Sequence, residues 1–171
     1  LVAATVAEIG ARGSLDVTVG QIARRAGMST ALAHHYFGGK TQIFLAAMRH
    51  ILSEYGAEVR AALAAAPRDR RLEAIVAANF AESCFAPATV SAWPPFHGLP
   101  QRDAEAARLL RVYQRRLHSN LVHALRGRCP DPEGTARTLA ALIDGVYLRA
   151  ALSGAGVEDA TETVSHTAYA L

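Results

Sequence analysis

Apolar residues recur every three or four positions through most of this chain, the period of a helix with one buried face. Val2, Val6 and Ile9 mark a first helix over residues 1–12, with Gly13 as its stop. A longer stripe, Ile43, Phe44, Ala47, Met48, Ile51, Leu52, Tyr55 and Val59, predicts a helix from Lys40 to about Ala65. Pro67 then marks a linker. Leu72, Ile75, Val76, Asn79 and Phe80 predict a helix over 68–85, stopped by Pro87. Trp93 followed by Pro94-Pro95 interrupts the pattern, because two prolines remove two amide donors and crowd the preceding turn. A helix is therefore expected to kink or end there. Leu109, Leu110, Tyr113, Leu117, Asn120, Leu121, Ala124 and Leu125 form the inward face of a helix over 101–127, with Arg108, Arg111, Arg115 and Arg116 mostly outside. A helix over 132–152 buries Leu139, Leu142, Ile143, Val146 and Tyr147. Ala136, Ala140, Ala141, Gly145 and Ala151 lie on its other face, suited to close contact with a second helix. Gly154 and Gly156 end it, and a last helix starts near Glu158. The expected fold is all-α, with a small three-helix N-terminal domain (1–46) and a larger helical domain (47–171). The helix from Lys40 belongs to both.

The window 18–40 carries the sharpest local signals. Thr18 and Gln21 have capping-box spacing. Ala23 is small where two helices must approach, Gly27 supplies the positive φ of a tight turn, and Ser29 caps a second helix, Thr30 to Phe37. Ile22, Ala26, Met28, Ala33 and Tyr36 fall on the inner face of such a pair. Ser29, Thr30, Ala31, His34 and His35 then point outward, and Gly38-Gly39 ends the helix. This is helix-turn-helix geometry. Its outward side chains, short or flat and hydrogen-bonding, suit base edges in a major groove. Thr30, His34 and His35 are the reading candidates. Lys40, beside a helix N-terminus, and Thr18, at the start of its helix, are candidates for phosphate, with Arg24 and Arg25 adding charge. A metal between His34 and His35 is not expected, since neighbours on a helix diverge by about 100°.

With 171 residues, 51% of them hydrophobic, the chain can build this core. A net charge of +3 agrees with a DNA partner without requiring one. Cys84 and Cys129 lack metal-ligand spacing, and the simplest expectation is a reduced, cytoplasmic setting. No apolar run has the length of a membrane span, so no membrane partner is expected. The chain opens at Leu1 inside a helical pattern, without methionine, and leading residues are expected before it.

At these residues a resemblance becomes specific. The helix-turn-helix window, ending Tyr36-Phe37-x-x-Lys40, resembles the DNA-binding domain of TetR-family repressors. Later runs resemble the BetI group, choline-responsive regulators of glycine betaine synthesis. They are Asn79-Phe80, Ala92-Trp93, Arg115-Arg116-Leu117, Ser119-Asn120-Leu121-Val122, Ala140-Ala141-Leu142-Ile143-Asp144-Gly145 and Leu148-Arg149-Ala150-Ala151-Leu152-Ser153-Gly154. The resemblance implies a homodimer on a near-palindromic double-stranded operator, with Tyr36 and Lys40 as phosphate contacts and choline as inducer. BetI-type sequences read as a continuous helix where this chain has Pro94-Pro95, a departure that bears on the pocket.

The second half also holds material for a ligand site. Phe80, Trp93, Phe96, Tyr113 and Tyr147 lie on separate predicted helices, with Glu82 and Asp144 as nearby acids. Aromatic faces plus a carboxylate suit a quaternary ammonium, at about 0.5 to 2 kcal/mol per ring. The same rings also serve as core, and Asp144 has Arg149 or a partner chain as alternative contacts. Ligand binding is expected to shift the helix from Lys40 and so misplace the paired reading helices. A different cationic or lipophilic ligand is the alternative within this class. An enzyme finds no support: there is no Ser-His-Asp set, phosphate loop, HExxH or EF-hand spacing, and no cofactor is expected. A helical interaction protein that has lost DNA binding is the remaining reading.

Overall fold

The computed structural model describes residues 1–153 and 157–170. Its nine α-helices, among the described residues, are α1 Val2–Arg12, α2 Val19–Arg25, α3 Thr30–Phe37, α4 Lys40–Ala65, α5 Arg71–Asn79, α6 Pro87–His97, α7 Ala104–Leu125, α8 Pro132–Ser153 and α9 Val157–Ala170. Single 3₁₀ turns at Arg68–Arg70 and Leu99–Gln101 lead into α5 and α7. The stop expected at Gly154 and Gly156 lies outside the described residues.

The first three helices form where local chemistry requires. Gly13 closes α1 with φ 59°. Thr18 Oγ1 accepts from Gln21 N (3.2 Å), and Gln21 Oε1 accepts from Thr18 N (2.7 Å), so two free amides of α2 are satisfied reciprocally. Gly27 turns the chain at φ 68°. Ser29 Oγ accepts from Leu32 N (3.1 Å) to start α3, and Gly38 leaves it at φ 77°. Ile22, Ala23 and Ala33 are completely buried in the small core where α2 packs on α1 and α3. Tyr36 departs from the inner-face expectation: it is 69% exposed, and Phe37 packs partly against the core instead.

α4 is about 39 Å long and joins the two halves. The halves share one continuous core, because α1 packs on α6 as well as on α2 and α4. The contact is close: a Cβ on Gly10 would lie 2.5 Å from the Ala88 carbonyl oxygen.

Three expectations need correction. The helix foreseen over 68–85 ends at Asn79. The Tyr147 hydroxyl donates to the Asn79 carbonyl, and Phe80 N closes a tight turn on Ala77 O (3.1 Å), which takes the chain out of the helical ladder. Pro87 starts a helix rather than stopping one, since the first helical position needs no N–H. Pro94 and Pro95 do not break α6, which runs to His97. Both rings accept helical φ, so the cost is two missing donors within the last turns of a helix held between α1 and α8.

Candidate DNA interface and ligand cavity

α3 presents Thr30, Ala31, His34, His35 and Tyr36 as one exposed surface. His34 is the most constrained of them. Its Nδ1 lies 2.6 Å from the Gly38 carbonyl oxygen, which can only accept. Nδ1 therefore carries the proton, and in the neutral ring Nε2 is left as an acceptor. His35 and Tyr36 meet edge to face at 5.5 Å. Thr18 and Ser29 are exposed and committed to their caps. Gly39 caps α4 without a side chain, Gln42 Oε1 accepting from its N–H (3.2 Å). The Lys40 ammonium stands 5.4 Å from the centre of the Phe44 ring, at the positive end of a long helix. Arg25 is not available for phosphate as its type promised, because Glu8 holds it at 2.5 Å.

Behind this unit, α4, α5, α6, α7 and α8 enclose a narrow cavity. Tyr55, Asn79, Cys84, Trp93, Tyr113 and Tyr147 line it, and Glu54 stands at its edge, half exposed. Trp93 meets Tyr113 edge to face at 5.6 Å, and Tyr113 meets Tyr55 at 5.2 Å. The cavity is small, about 30 Å³. That is room for water but well short of a drug-sized pocket.

The sequence candidates divide here. Trp93, Tyr113 and Tyr147 come together on the cavity wall. Phe80 and Phe96 do not: both are buried behind it, Phe80 stacked on Tyr147 at 5.7 Å. Glu82 is exposed in the turn after α5, because the helix expected to turn it inward ends before it. Asp144 sits behind the wall, where the Tyr113 hydroxyl donates to it (3.3 Å), and not against Arg149. From sequence, Tyr55 and Asn79 are packing positions only. The one signal for the cavity is a phenol hydroxyl on an otherwise wholly apolar stripe of α4.

Burial governs the electrostatics. It pushes the Tyr55, Tyr113 and Tyr147 phenols well up, so all three are neutral. It raises the Asp144 carboxyl, against the pull of His97 and the Tyr113 hydroxyl, and lowers His97, against the pull of Asp144. The Tyr55 hydroxyl and His97 Nε2 are buried without a hydrogen-bond partner, although the Asn79 side chain lies close enough to Tyr55 to oppose its shift. Among the described residues no cluster of three or more metal-ligating side chains occurs, and no helix is long and apolar enough to cross a membrane.

On the outside, α8 exposes Ala141, Gly145, Leu148 and Leu152 at four-three-four spacing. This is a single stripe, small at one end and leucine at the other, with Leu152 81% exposed.

Comparison with known proteins agrees with both regions. Residues 1–47 match the family described as bacterial regulatory proteins, tetR family, and residues 67–171 match that described as BetI-type transcriptional repressor, C-terminal. The chain is 48% identical to the HTH-type transcriptional regulator BetI of Brucella anthropi, covering 96% of this chain and 86% of that protein. It is 46% identical to the regulator of the same name from Rhizobium meliloti, covering 92% and 79%. Among solved structures, a transcriptional regulator from Rhodococcus superimposes with a TM-score of 0.85 at 22% identity, covering 98% of this chain and 91% of that one. A regulator from Saccharomonospora viridis, solved in complex with choline, superimposes with a TM-score of 0.80 at 20% identity, covering 96% and 91%. Capped helix-turn-helix, all-helical second half and matched sequence together place the chain in the TetR family of DNA-binding transcriptional regulators, as a BetI-type repressor and not an enzyme.

Proposed function

We propose that this repressor works as a homodimer, holds its operator through two α3 helices, and releases it when choline enters the aromatic cavity, so that genes of glycine betaine synthesis are expressed. Residues 1–46 are the DNA-binding part and 47–171 the sensing and dimerising part. Thr30, His34 and His35 read bases, while Thr18, Ser29, Tyr36 and Lys40 position the backbone.

The observation that carries the ligand reading is the convergence of Tyr55, Trp93, Tyr113 and Tyr147, from four helices, on one cavity. A quaternary ammonium has no N–H to donate, and ring faces attract it without one. The BetI relatives and the choline complex of the Saccharomonospora viridis protein support the same ligand class. A cavity of about 30 Å³ does not admit choline at rest, so entry must spread its walls. Tyr55 belongs to α4, whose first residue is Lys40. Spreading therefore moves the helix on which the reading unit is mounted, and the ligand's preference for the open form sets how far the equilibrium shifts. The exposed α8 stripe supplies a self-complementary surface for the dimer.

Titration of the operator complex with choline, and in parallel with its uncharged isostere 3,3-dimethylbutanol, tests this. Choline releases the DNA and the neutral compound is much weaker. Equal potency of the two removes the cation reading, and no release by either removes choline.

A further inference from the structure

On the other side of the Tyr55–Tyr113 pair lies a larger, open groove of about 660 Å³ between α4 and α7. We infer that this groove is a second ligand site, taking an amphipathic anion: an alkyl chain ending in a carboxylate.

Its floor is apolar. Leu52, Val59 and Leu63 from α4 and Leu109 from α7 line it, and all four pack on or belong to the core. Its rim is cationic. Arg60, Arg108 and Arg116 line it, form no ion pair among the described residues, and face no acidic side chain within the groove. Arg49, at the end nearer the DNA unit, is already held by Glu105. A guanidinium takes a carboxylate through two parallel hydrogen bonds, and unpaired arginines beside apolar surface are the donors such a head group needs.

Gly56 adds an independent reason. Glycine in the interior of a helix is unfavourable relative to alanine, because it loses more backbone freedom on folding. Here it lies on the groove wall, and a Cβ would come within 3.2 Å of the Arg60 guanidinium, which folds back along the groove. The missing side chain leaves room at mid-groove and lets Arg60 lie over it. From Arg49 to Leu63 the groove follows α4 for about 20 Å, enough for a medium-length chain laid lengthwise.

Leu52, Tyr55 and Tyr113 line both the groove and the aromatic cavity. The groove's own chemistry does not depend on what the cavity takes.

Calorimetric titration of the full chain with dodecanoate, below its micelle concentration, tests the assignment. Dodecanol, which lacks the charge, and acetate, which lacks the chain, are the controls. One dodecanoate binds per chain, both controls bind at least tenfold more weakly, and Arg60→Gln/Arg116→Gln weakens dodecanoate at least tenfold. Gly56→Leu, which fills mid-groove, does the same, with the melting temperature of each variant measured to show that it is folded. Binding persists with choline at saturation. Absence of binding overturns the site. So does equal affinity for dodecanol, an unchanged affinity in both variants, or displacement by choline, which would place the chain in the aromatic cavity. A change of oligomeric state in Gly56→Leu without loss of an anion site would give the groove to a second copy of the chain instead.

Discussion

Gly10 of α1 and Ala88 of α6 touch backbone to backbone: a Cβ on the glycine would stand 2.5 Å from the alanine carbonyl oxygen. This contact joins the DNA-reading unit to the helix that carries Trp93 of the cavity wall. Gly10→Ala should favour the isolated helix, yet the added methyl meets main chain that has no rotamer to escape into. We expect the clash to win, at about 1–3 kcal/mol net, as overpacking does elsewhere. Thermal unfolding followed by circular dichroism checks it. A raised melting temperature would show that α1 and α6 part freely and that the seam transmits nothing.

Two cavity tyrosines should respond to loss of their hydroxyls with opposite sign. Tyr147 donates to the Asn79 carbonyl at the point where α5 ends, so Tyr147→Phe strands a buried acceptor and costs about 1–3 kcal/mol. The Tyr55 hydroxyl has no partner, so Tyr55→Phe is neutral or stabilising. Because the ring is retained, choline affinity is expected to survive in Tyr55→Phe. Urea unfolding and choline titration of both variants check this; destabilisation of Tyr55→Phe to the same extent as Tyr147→Phe would contradict the hydrogen-bond assignment.

These details mark where the sequence stops being readable. The caps at Thr18 and Ser29, the turn at Gly27 and the start of α4 at Lys40 depend on residues within four positions of each other, and all are legible. The end of α5 is not, because its cause is Tyr147, sixty-eight positions away. Glu82 falls outside the cavity for that reason. The prolines of α6 mislead in the opposite direction: their local penalty is real, but α1 and α8 hold the helix regardless. Aromatic type identifies Trp93, Tyr113 and Tyr147. It does not say that Phe80 and Phe96 lie one layer deeper, since burial order depends on packing between helices.

At the DNA end, His34 and Lys40 should fail differently. His34 Nδ1 is occupied by Gly38, so the neutral ring offers Nε2 as an acceptor, matched to the exocyclic amine of adenine or cytosine. His34→Ala is expected to lose about 1–3 kcal/mol at one base position per half-site, leaving the salt dependence unchanged. Lys40→Ala should weaken all duplexes alike and flatten the salt slope by about one for each phosphate the lysine neutralises. Operator binding across single-base variants and salt concentrations separates the two. If His34→Ala weakens every sequence equally, the ring positions rather than reads.

His97 and Asp144 set opposing pH dependences. Burial lowers the His97 pKa, so below about pH 6.5 the unfolded chain takes the proton first and stability falls as pH falls. Burial raises the Asp144 pKa, so its contribution is present at low pH and is lost as pH rises through the folded-state value. His97→Gln should flatten the acid side of the stability profile. Asp144→Asn, which keeps an acceptor for Tyr113, should stabilise the protein at neutral pH. Urea midpoints between about pH 5 and 8 test both. An Asp144→Asn variant less stable than the parent at neutral pH would mean that the carboxylate has a charged partner in solution.

The α8 stripe should decide whether any of this reaches DNA. Leu148 is 49% exposed and Leu152 81%, and they continue the line of Ala141 and Gly145. Small residues let two helices approach, and a stripe at four-three-four spacing that ends in two leucines gives them a seam. Leu148→Glu/Leu152→Glu places two like charges across a two-fold contact at each end of that seam. We expect a folded monomer with an unchanged α3 surface and loss of tight operator binding, because one reading head spans only one half-site. Sedimentation velocity measures the assembly, and anisotropy on whole and half operators measures the grip. The variant should keep its weak half-site binding while losing the whole-site advantage. A dimer that persists in this variant would move the interface off α8, and with it the geometry by which a widened cavity could change the spacing of two α3 helices.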